Sequence, residues 1–407
     1  MDRRSIALPA ACLRKIYVED KILNSNLIWS EINLNAISHN VRELRRITSP
    51  GSQLMAVVKA NGYGHGAVEV ARAALKNGAR CLGVARMDEG LHLRMAGIVE
   101  PILILGFTPP EHSATLVAHR LTQTVYVFEA AKALSEAAAQ LQTVANIHIK
   151  VDTGMGRLGL LPDSPRISLL GKHLPGNAQR VIESISRLPH VEIEGIFTHF
   201  ATADSQDKTY TLQQLERFLE FLNKLKVHGL EFPLRHAANS AALIDLPETH
   251  LDMVRPGISL YGFYPSAEVS KKRISLAPAM MLKTRVIHLK MVPAGFHISY
   301  GLTYQTENPT VIATVSAGYA DGLNRLLSSR GQMLVRGSRA KIVGRICMDM
   351  TLLDVGHIPN VCIGDEVVIF GSQGQECIPV EEMAEVLNTI HYEIVTSLPS
   401  RVERVFI

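Results

Sequence analysis

An ammonium at the end of an apolar run is costly to bury unless it is neutralised, paired or used. Lys59 stands in that position, closing LMAVVK ahead of ANGYGHG. A lysine placed this way has one specific use, a Schiff base with an aldehyde cofactor, and one bland alternative, a stem that snorkels to solvent. Gly62, Gly64 and Gly66 let a backbone approach closely, and Tyr63 sets a hydroxyl among them. Such glycines on their own also simply make turns.

Other reactive side chains recur in the same kind of place. Lys150 and Asp152 close an apolar run in IKVDTGMGRLG, His199 follows one in THFATAD, and Asn239 and Ser240 follow one in HAANSAA. Arg255 closes another, ahead of the glycine turn in RPGISLYG. Backbone N–H groups at Gly257 and Ile258, with the Ser240 hydroxyl, would suit a phosphate. Ser240 reads equally as a helix N-cap, and both roles hold together because a cap site is also an anion site. For Arg255 the structural alternative is an ion pair with Asp252 or another carboxylate.

Positioning these groups takes a repeating scaffold. Short β-branched runs at 54–59, 81–85, 102–105, 122–127, 147–151, 193–198, 233–236 and 253–255 read as eight strands. Between them, 67–76, 129–141 and 211–226 return apolar residues at three- and four-residue steps, as helices do. Eight such repeats predict an α/β fold, a (β/α)8 TIM-type barrel over 29–274, whose chemistry belongs at the carboxyl ends of its strands. After about residue 275 the texture changes to β runs at 281–288, 310–315, 341–343 and 366–369, separated by Gly, Pro and Asp. This predicts a smaller, mostly β domain over 275–407, with 1–28 as an N-terminal extension.

Bulk properties agree with two folded domains. The 407 residues exceed the roughly 250–300 that one core serves, and 47% hydrophobic with 20% charged residues is ordinary for globular chains. A net charge of +4 without a basic, aromatic-interleaved run excludes the nucleic-acid binders and suits a small anionic substrate. Five cysteines, odd in number and without CxxC spacing, argue against a disulfide framework and a zinc site. With no run of the roughly 18 apolar residues that span a membrane, and Pro9 interrupting the short stretch after Arg3 and Arg4, the expected location is the cytoplasm.

The motifs VVKANGYGHG, IKVDTGMGRLG, THFATAD, HAANSAA, RPGISLYG, ISYGLTY, SAGYADG, GRICMDM and NTIHYEI occur in one order, and over 29–407 the chain resembles the alanine racemases. These are fold-type III pyridoxal-phosphate enzymes. The resemblance implies pyridoxal 5'-phosphate on Lys59, its phosphate held by Tyr63, Ser240, Gly257, Ile258 and Tyr392, with Asn239 nearby. It places Arg255 at the pyridine nitrogen, where a guanidinium that stays protonated leaves the ring nitrogen unprotonated and weakens the electron sink. Arg157 is implied to contact the cofactor's phenolic oxygen and the substrate carboxylate, with Met348 and Asp349 lining the site. Lys150 matches a lysine carbamylated in many members of the family, an unmodified lysine being the alternative. Gly62 and Met350 depart from the common alanine and glutamine, and neither position carries a reactive group.

Racemisation removes a proton from one face of the α-carbon and delivers one to the other, so it takes two bases. The resemblance implies Lys59 for one face and Tyr300, contributed by the partner of a head-to-tail homodimer with shared active sites, for the other. An ordinary tyrosine, with a pKa of about 10, needs about 4 kcal/mol of stabilisation for its anion to be common at neutral pH. His199 is implied to hydrogen-bond that phenol. The implied substrates are L-alanine and D-alanine, for which Tyr300, Tyr392 and Met348 would crowd the site, and the implied role is D-alanine supply to peptidoglycan. Serine, lysine and arginine racemases share the scaffold, and a catabolic role is the other use. Related decarboxylases keep an acidic residue at the pyridine nitrogen, which Arg255 opposes; single-barrel cofactor-homeostasis proteins lack the second domain.

Overall fold

The computed structural model describes residues 27–162, 168–169, 172–173 and 178–407. The extension expected over 1–28 therefore lies, up to residue 26, outside the described residues. Two compact units form: Leu34–Pro278, and the residues through Asn33 together with Ala279–Ile407.

In the first unit eight parallel strands close into a barrel. Gln53–Val57, Cys81–Val84, Ile102–Ile104, Thr122–Val125, Ala145–Lys150, Val191–Phe197, Leu234–His236 and Met253–Val254 each pair with the next in sequence. The ring closes where Met253 and Val254 meet Gln53 and Leu54. Every one of the eight expected strands is present. Buried on both sides, they are short and rich in Val, Ile and Leu, as parallel strands covered by helices must be.

Helices Ala67–Lys76, Met87–Met95, Ser113–Ala118, Phe128–Gln140, Ala178–Ser186, Thr209–Val227 and Ser240–Asp245 follow the first seven strands. After the eighth comes only a 3-10 turn, Ile258–Tyr261. Leu34–Ile47, which precedes the first strand, packs against Ala67–Lys76 and that turn, filling the remaining place in the ring. Asn40 fastens it, its Nδ2 donating to the carbonyls of Leu260 at 3.1 Å and Ala277 at 2.9 Å.

The second unit is built on a nine-stranded sheet around the long strand Met280–Val292. Here the structure corrects the sequence reading, which began the barrel at residue 29. Ile28–Ile32 is a strand of this sheet, antiparallel to Met280–Val292 and parallel to Glu403–Phe406. Trp29 is buried in this strand, under the Arg285 guanidinium of Met280–Val292, and Ile32 is wholly buried. Among the described residues, Cys81, Cys347 and Cys377 carry free thiols. Among the described residues no helix is long and apolar enough to cross a membrane.

Truncating a fully buried isoleucine costs about 2–5 kcal/mol, so Ile32→Ala should destabilise the β unit and leave the barrel intact. Hydrogen exchange checks this: faster exchange in Met280–Val292 and Glu403–Phe406 is expected, and faster exchange in the barrel strands would overturn the reassignment of Ile28–Ile32.

Candidate active site

The first barrel strand ends at Val57, and Lys59 opens an unusual turn. Ala60, Asn61 and Gly62 all lie at φ and ψ near +50 to +60°, and Tyr63 follows at φ 49°. This is one turn of left-handed helix, closed by Gly62 N–H donating to Val58 at 2.8 Å and Gly64 N–H to Ala60 at 2.9 Å. Left-handed helix costs about 1–2 kcal/mol per non-glycine residue and persists only where the surroundings enforce it. Glu89 does much of the enforcing. Its carboxylate accepts from the Ala60 N–H at 2.6 Å and from the Ala85 N–H at 2.7 Å, tying the turn to the end of the second strand.

Burial and the nearby Arg157 guanidinium hold the Lys59 ammonium below its ordinary pKa. Lys59 Nζ lies 5.9 Å from the centre of the Tyr63 ring. Tyr63 in turn reaches the turn after the eighth strand, where a Cβ on Gly257 would fall 2.4 Å from its hydroxyl. Only glycine fits there. The Ser240 hydroxyl accepts from the Gly257 N–H at 2.9 Å and lies 3.4 Å from the Ser259 N–H, with Ile258 between them. Tyr63, Ser240, Gly257 and Ile258 therefore converge. Asn239 Oδ1 caps helix Ser240–Asp245 by accepting from Ala242 N–H at 3.0 Å, the role the sequence had offered to Ser240.

Arg255 is buried at the end of the eighth strand. Asp252, the carboxylate expected as its alternative partner, is taken by Arg235 at 2.6 Å. Arg255 instead donates from Nη1 to His236 Nδ1 at 2.7 Å and from Nη2 to the carbonyls of Thr198 at 2.7 Å and Ala237 at 2.9 Å. The same Nη2 reaches His199 Nδ1 at 3.3 Å. Burial pushes the guanidinium down to about 9, which leaves it charged at neutral pH. With Nδ1 accepting, His199 carries its proton on Nε2. Burial first, and then Arg255, holds His199 well below its ordinary pKa, so it is neutral.

Lys150 ends the fifth strand with its Nζ 4.4 Å from the centre of the Phe197 ring. It too is held well below the usual ammonium range by burial, then by Arg255 and Arg157. Asp152 is structural. Its Oδ1 accepts from the N–H groups of Gly154, Met155 and Gly156 and its Oδ2 from that of Arg157, at 2.8–3.1 Å, shaping the loop that presents Arg157. His236, His148 and Glu89 went unnoticed in the sequence, although His236 heads HAANSAA and His148 alternates with Lys150 on one strand face.

The remaining expected residues sit on the β unit. Tyr300 is 71% exposed and Met348 54%. Ser299, just before Tyr300, adopts φ 64° and ψ −174°, and its hydroxyl donates to the Arg345 carbonyl at 2.5 Å. Asp349 pairs with Arg401 at 3.0 Å. Tyr392 lies in helix His391–Thr396, half-buried.

Known proteins bear on both units. The family described as alanine racemase, N-terminal domain, matches residues 32–265, and alanine racemase, C-terminal domain, matches 279–406. The alanine racemase of Desulfosudis oleivorans is 54% identical over 94% of this chain and 97% of its own length. That of Desulforamulus reducens is 51% identical over 93% and 99%. Among solved structures, the alanine racemase of Clostridium difficile 630 aligns with a TM-score of 0.87 at 39% identity, covering 94% of this chain and 96% of that one. The Bacillus anthracis alanine racemase with bound L-Ala-P aligns at 0.85 with 38% identity over 94% and 95%. The chain belongs to the alanine racemase family.

Proposed function

We propose that this chain interconverts L-alanine and D-alanine using pyridoxal 5'-phosphate, with Lys59 and Tyr300 as its two bases. The observation that carries the reading is Lys59: a strand-end lysine whose ammonium is destabilised by burial and by Arg157, set beside a cradle that only glycine allows. That cradle suits the cofactor. Gly257 and Ile258 with the hydroxyls of Tyr63 and Ser240 offer donors for its phosphate, and Arg255 offers a permanent cation for its ring nitrogen. When bound, the cofactor supplies the aldehyde that joins the amine and draws electrons from the α-carbon.

Lys59, with its depressed pKa, holds or releases a proton on one face of the α-carbon. The exposed phenol of Tyr300, from a second copy of the chain, serves the opposite face. His199 Nε2–H is then the donor that meets its oxygen and favours the anion. Arg157, on the loop ordered by Asp152, holds the substrate carboxylate and the cofactor's phenolic oxygen, and Met348, Asp349 and Tyr392 restrict the site to small side chains. Asn239 acts one step back, fixing the helix that carries Ser240. D-alanine made in the cytoplasm by a homodimer of this kind would supply peptidoglycan.

Lys150 adds a charge problem. Burial first, and then Arg255 and Arg157, disfavour a charge on Lys150, and the neutral amine is the form that takes up CO2. A carbamate on Lys150 would place there an anion that orients Arg157.

A panel of L-amino acids assayed for loss of optical rotation, with and without added cofactor, tests the activity. Alanine should racemise fastest and only with cofactor; inert alanine in a cofactor-loaded enzyme would sink the proposal. Shared sites predict complementation between two inactive variants. Lys59→Ala and Tyr300→Phe chains mixed with subunit exchange should recover about one quarter of wild-type activity, since about half the dimers are mixed and half their sites intact. No recovery despite exchange proven by affinity tags would place Tyr300 in its own chain's site. For the carbamate, 13C-bicarbonate should give a carbonyl resonance in the wild type that Lys150→Arg lacks; a spectrum the two share would leave Lys150 unmodified.

A further inference from the structure

The barrel interior contains a polar column that the reaction as described does not use. Neutral imidazoles each offer one donor and one acceptor. Burial holds His148 down to about 3 and His236 well below its ordinary value, so both are neutral. Arg255 has only donors, so its 2.7 Å contact makes His236 Nδ1 an acceptor and leaves the proton on Nε2. His236 Nε2 lies 2.8 Å from His148 Nδ1, which must then accept, leaving the second proton on His148 Nε2. Glu194 Oε2 lies 3.8 Å from that nitrogen, an electrostatic contact longer than a hydrogen bond. The polarity of the column is set from the active-site end, and the Glu194 carboxyl, its pKa raised by burial, stands near the other end.

Three features of one strand show that this is a built arrangement. In Val191–Phe197 the register against the fifth strand shifts, with Ile147 opposite Ile193 and His148 opposite Gly195, so that Glu194 is the extra residue of a bulge. Bulges re-aim side chains, and this one turns Glu194 inward to Asn146, whose Nδ2 donates to it at 2.5 Å, and to Thr122, whose hydroxyl lies 3.3 Å away. Gly195 comes next. A Cβ there would fall 2.7 Å from His148 Nδ1, so only glycine leaves room for the imidazole. Phe197, two residues on, stacks on His236 at 4.6 Å with the rings 5° apart. Glu194 and His148 line a cavity of about 340 Å³ at the amino ends of the strands, which keeps the far end of the column in contact with solvent.

We infer that Glu194, at the opposite end of the barrel from Lys59, is a positioning residue for the reaction: through His148 and His236 it holds Arg255 in the orientation and donor state that the cofactor's ring nitrogen requires. The inference rests on the reading of Arg255 as the group facing that nitrogen. A carboxylate is the matching terminus because it only accepts, whereas an amide could also donate and turn the imidazoles over. Turned over, His236 would present an N–H to a guanidinium that can only donate, and Arg255 Nη1 would lose its acceptor.

The test uses the full chain with cofactor bound and 15N-labelled histidine, the two resonances being assigned from His148→Gln and His236→Gln. In the wild type both rings should carry the proton on Nε2. Glu194→Gln should populate the Nδ1–H form of His148, shift the cofactor's visible absorbance band and lower kcat about tenfold at nearly unchanged KM. Glu194→Asp should restore the wild-type tautomers and most of kcat. An Nδ1 proton on His148 or His236 in the wild type overturns the inference, as does a folded Glu194→Gln chain with tautomers and band unchanged. Should Glu194→Gln not fold, Gly195→Ala crowds the His148 ring instead, and the same unchanged readouts would overturn it. Tautomers and band are read without turnover, so a chain that shows the expected pattern yet fails to racemise alanine defeats the proposed function and leaves the column standing.

Discussion

A guanidinium buried without a carboxylate is the constraint on which the barrel's upper half depends. Arg255 is lodged among backbone carbonyls and imidazole nitrogens, with the Phe197 ring 5.2 Å from its carbon centre. A buried charge of this kind is tolerated only when its donors are met, and here two carbonyls and two neutral imidazoles meet them. Its field reaches outward to Lys150, His199, His236 and His148, and in each case disfavours a further positive charge. Burial is the larger cause for each of them, and this one fixed cation adds to it. Neutral imidazoles and amines are what proton transfer and directed hydrogen bonding require at neutral pH.

Backbone strain accompanies both of the bases proposed here. Lys59 is followed by a left-handed turn, and Tyr300 is flanked by Ser299 at φ 64°, Gly301 at φ 72° and Leu302 at φ 51°. Strain of this sort survives where surrounding contacts over-determine it. Glu89 provides those contacts for the first turn, and the Ser299 hydroxyl on the Arg345 carbonyl provides one for the second. In each case the backbone is bent so that a side chain stands at the tip of a rigid element rather than on a mobile loop.

How much of this could be read beforehand follows from how local each cause is. Helix Ala67–Lys76 and strand Thr310–Val315 have the bounds their patterns indicate, because burial of one face writes a period into the sequence. Lys59 and Arg255 were legible for a related reason: a charge that ends an apolar run is conspicuous. Ile28–Ile32 was not, since five residues carry no sign that their partners are Met280–Val292 and Glu403–Phe406 rather than the barrel. Nor was the bulge at Glu194, which exists only as a mismatch between two paired strands. Arg255's true acceptors were hidden in the same way, being two carbonyls and two histidines brought from two other strand ends.

The interior of such a barrel is ordinarily filled by layers of branched aliphatic side chains. In this one Met55, Cys81, Leu103 and Met253 form an apolar cluster, while His148, His236 and Arg255 run past it as a polar thread. Aliphatic side chains of the same volume would pack there without imposing directional hydrogen bonds, so stability alone does not call for the thread. It is sustained by three local concessions, a bulge at Glu194, a missing side chain at Gly195 and an aromatic ring laid flat on His236. Concessions that weaken a core and converge on one guanidinium are best understood as serving that guanidinium, and through it the chemistry at the other end of the strands.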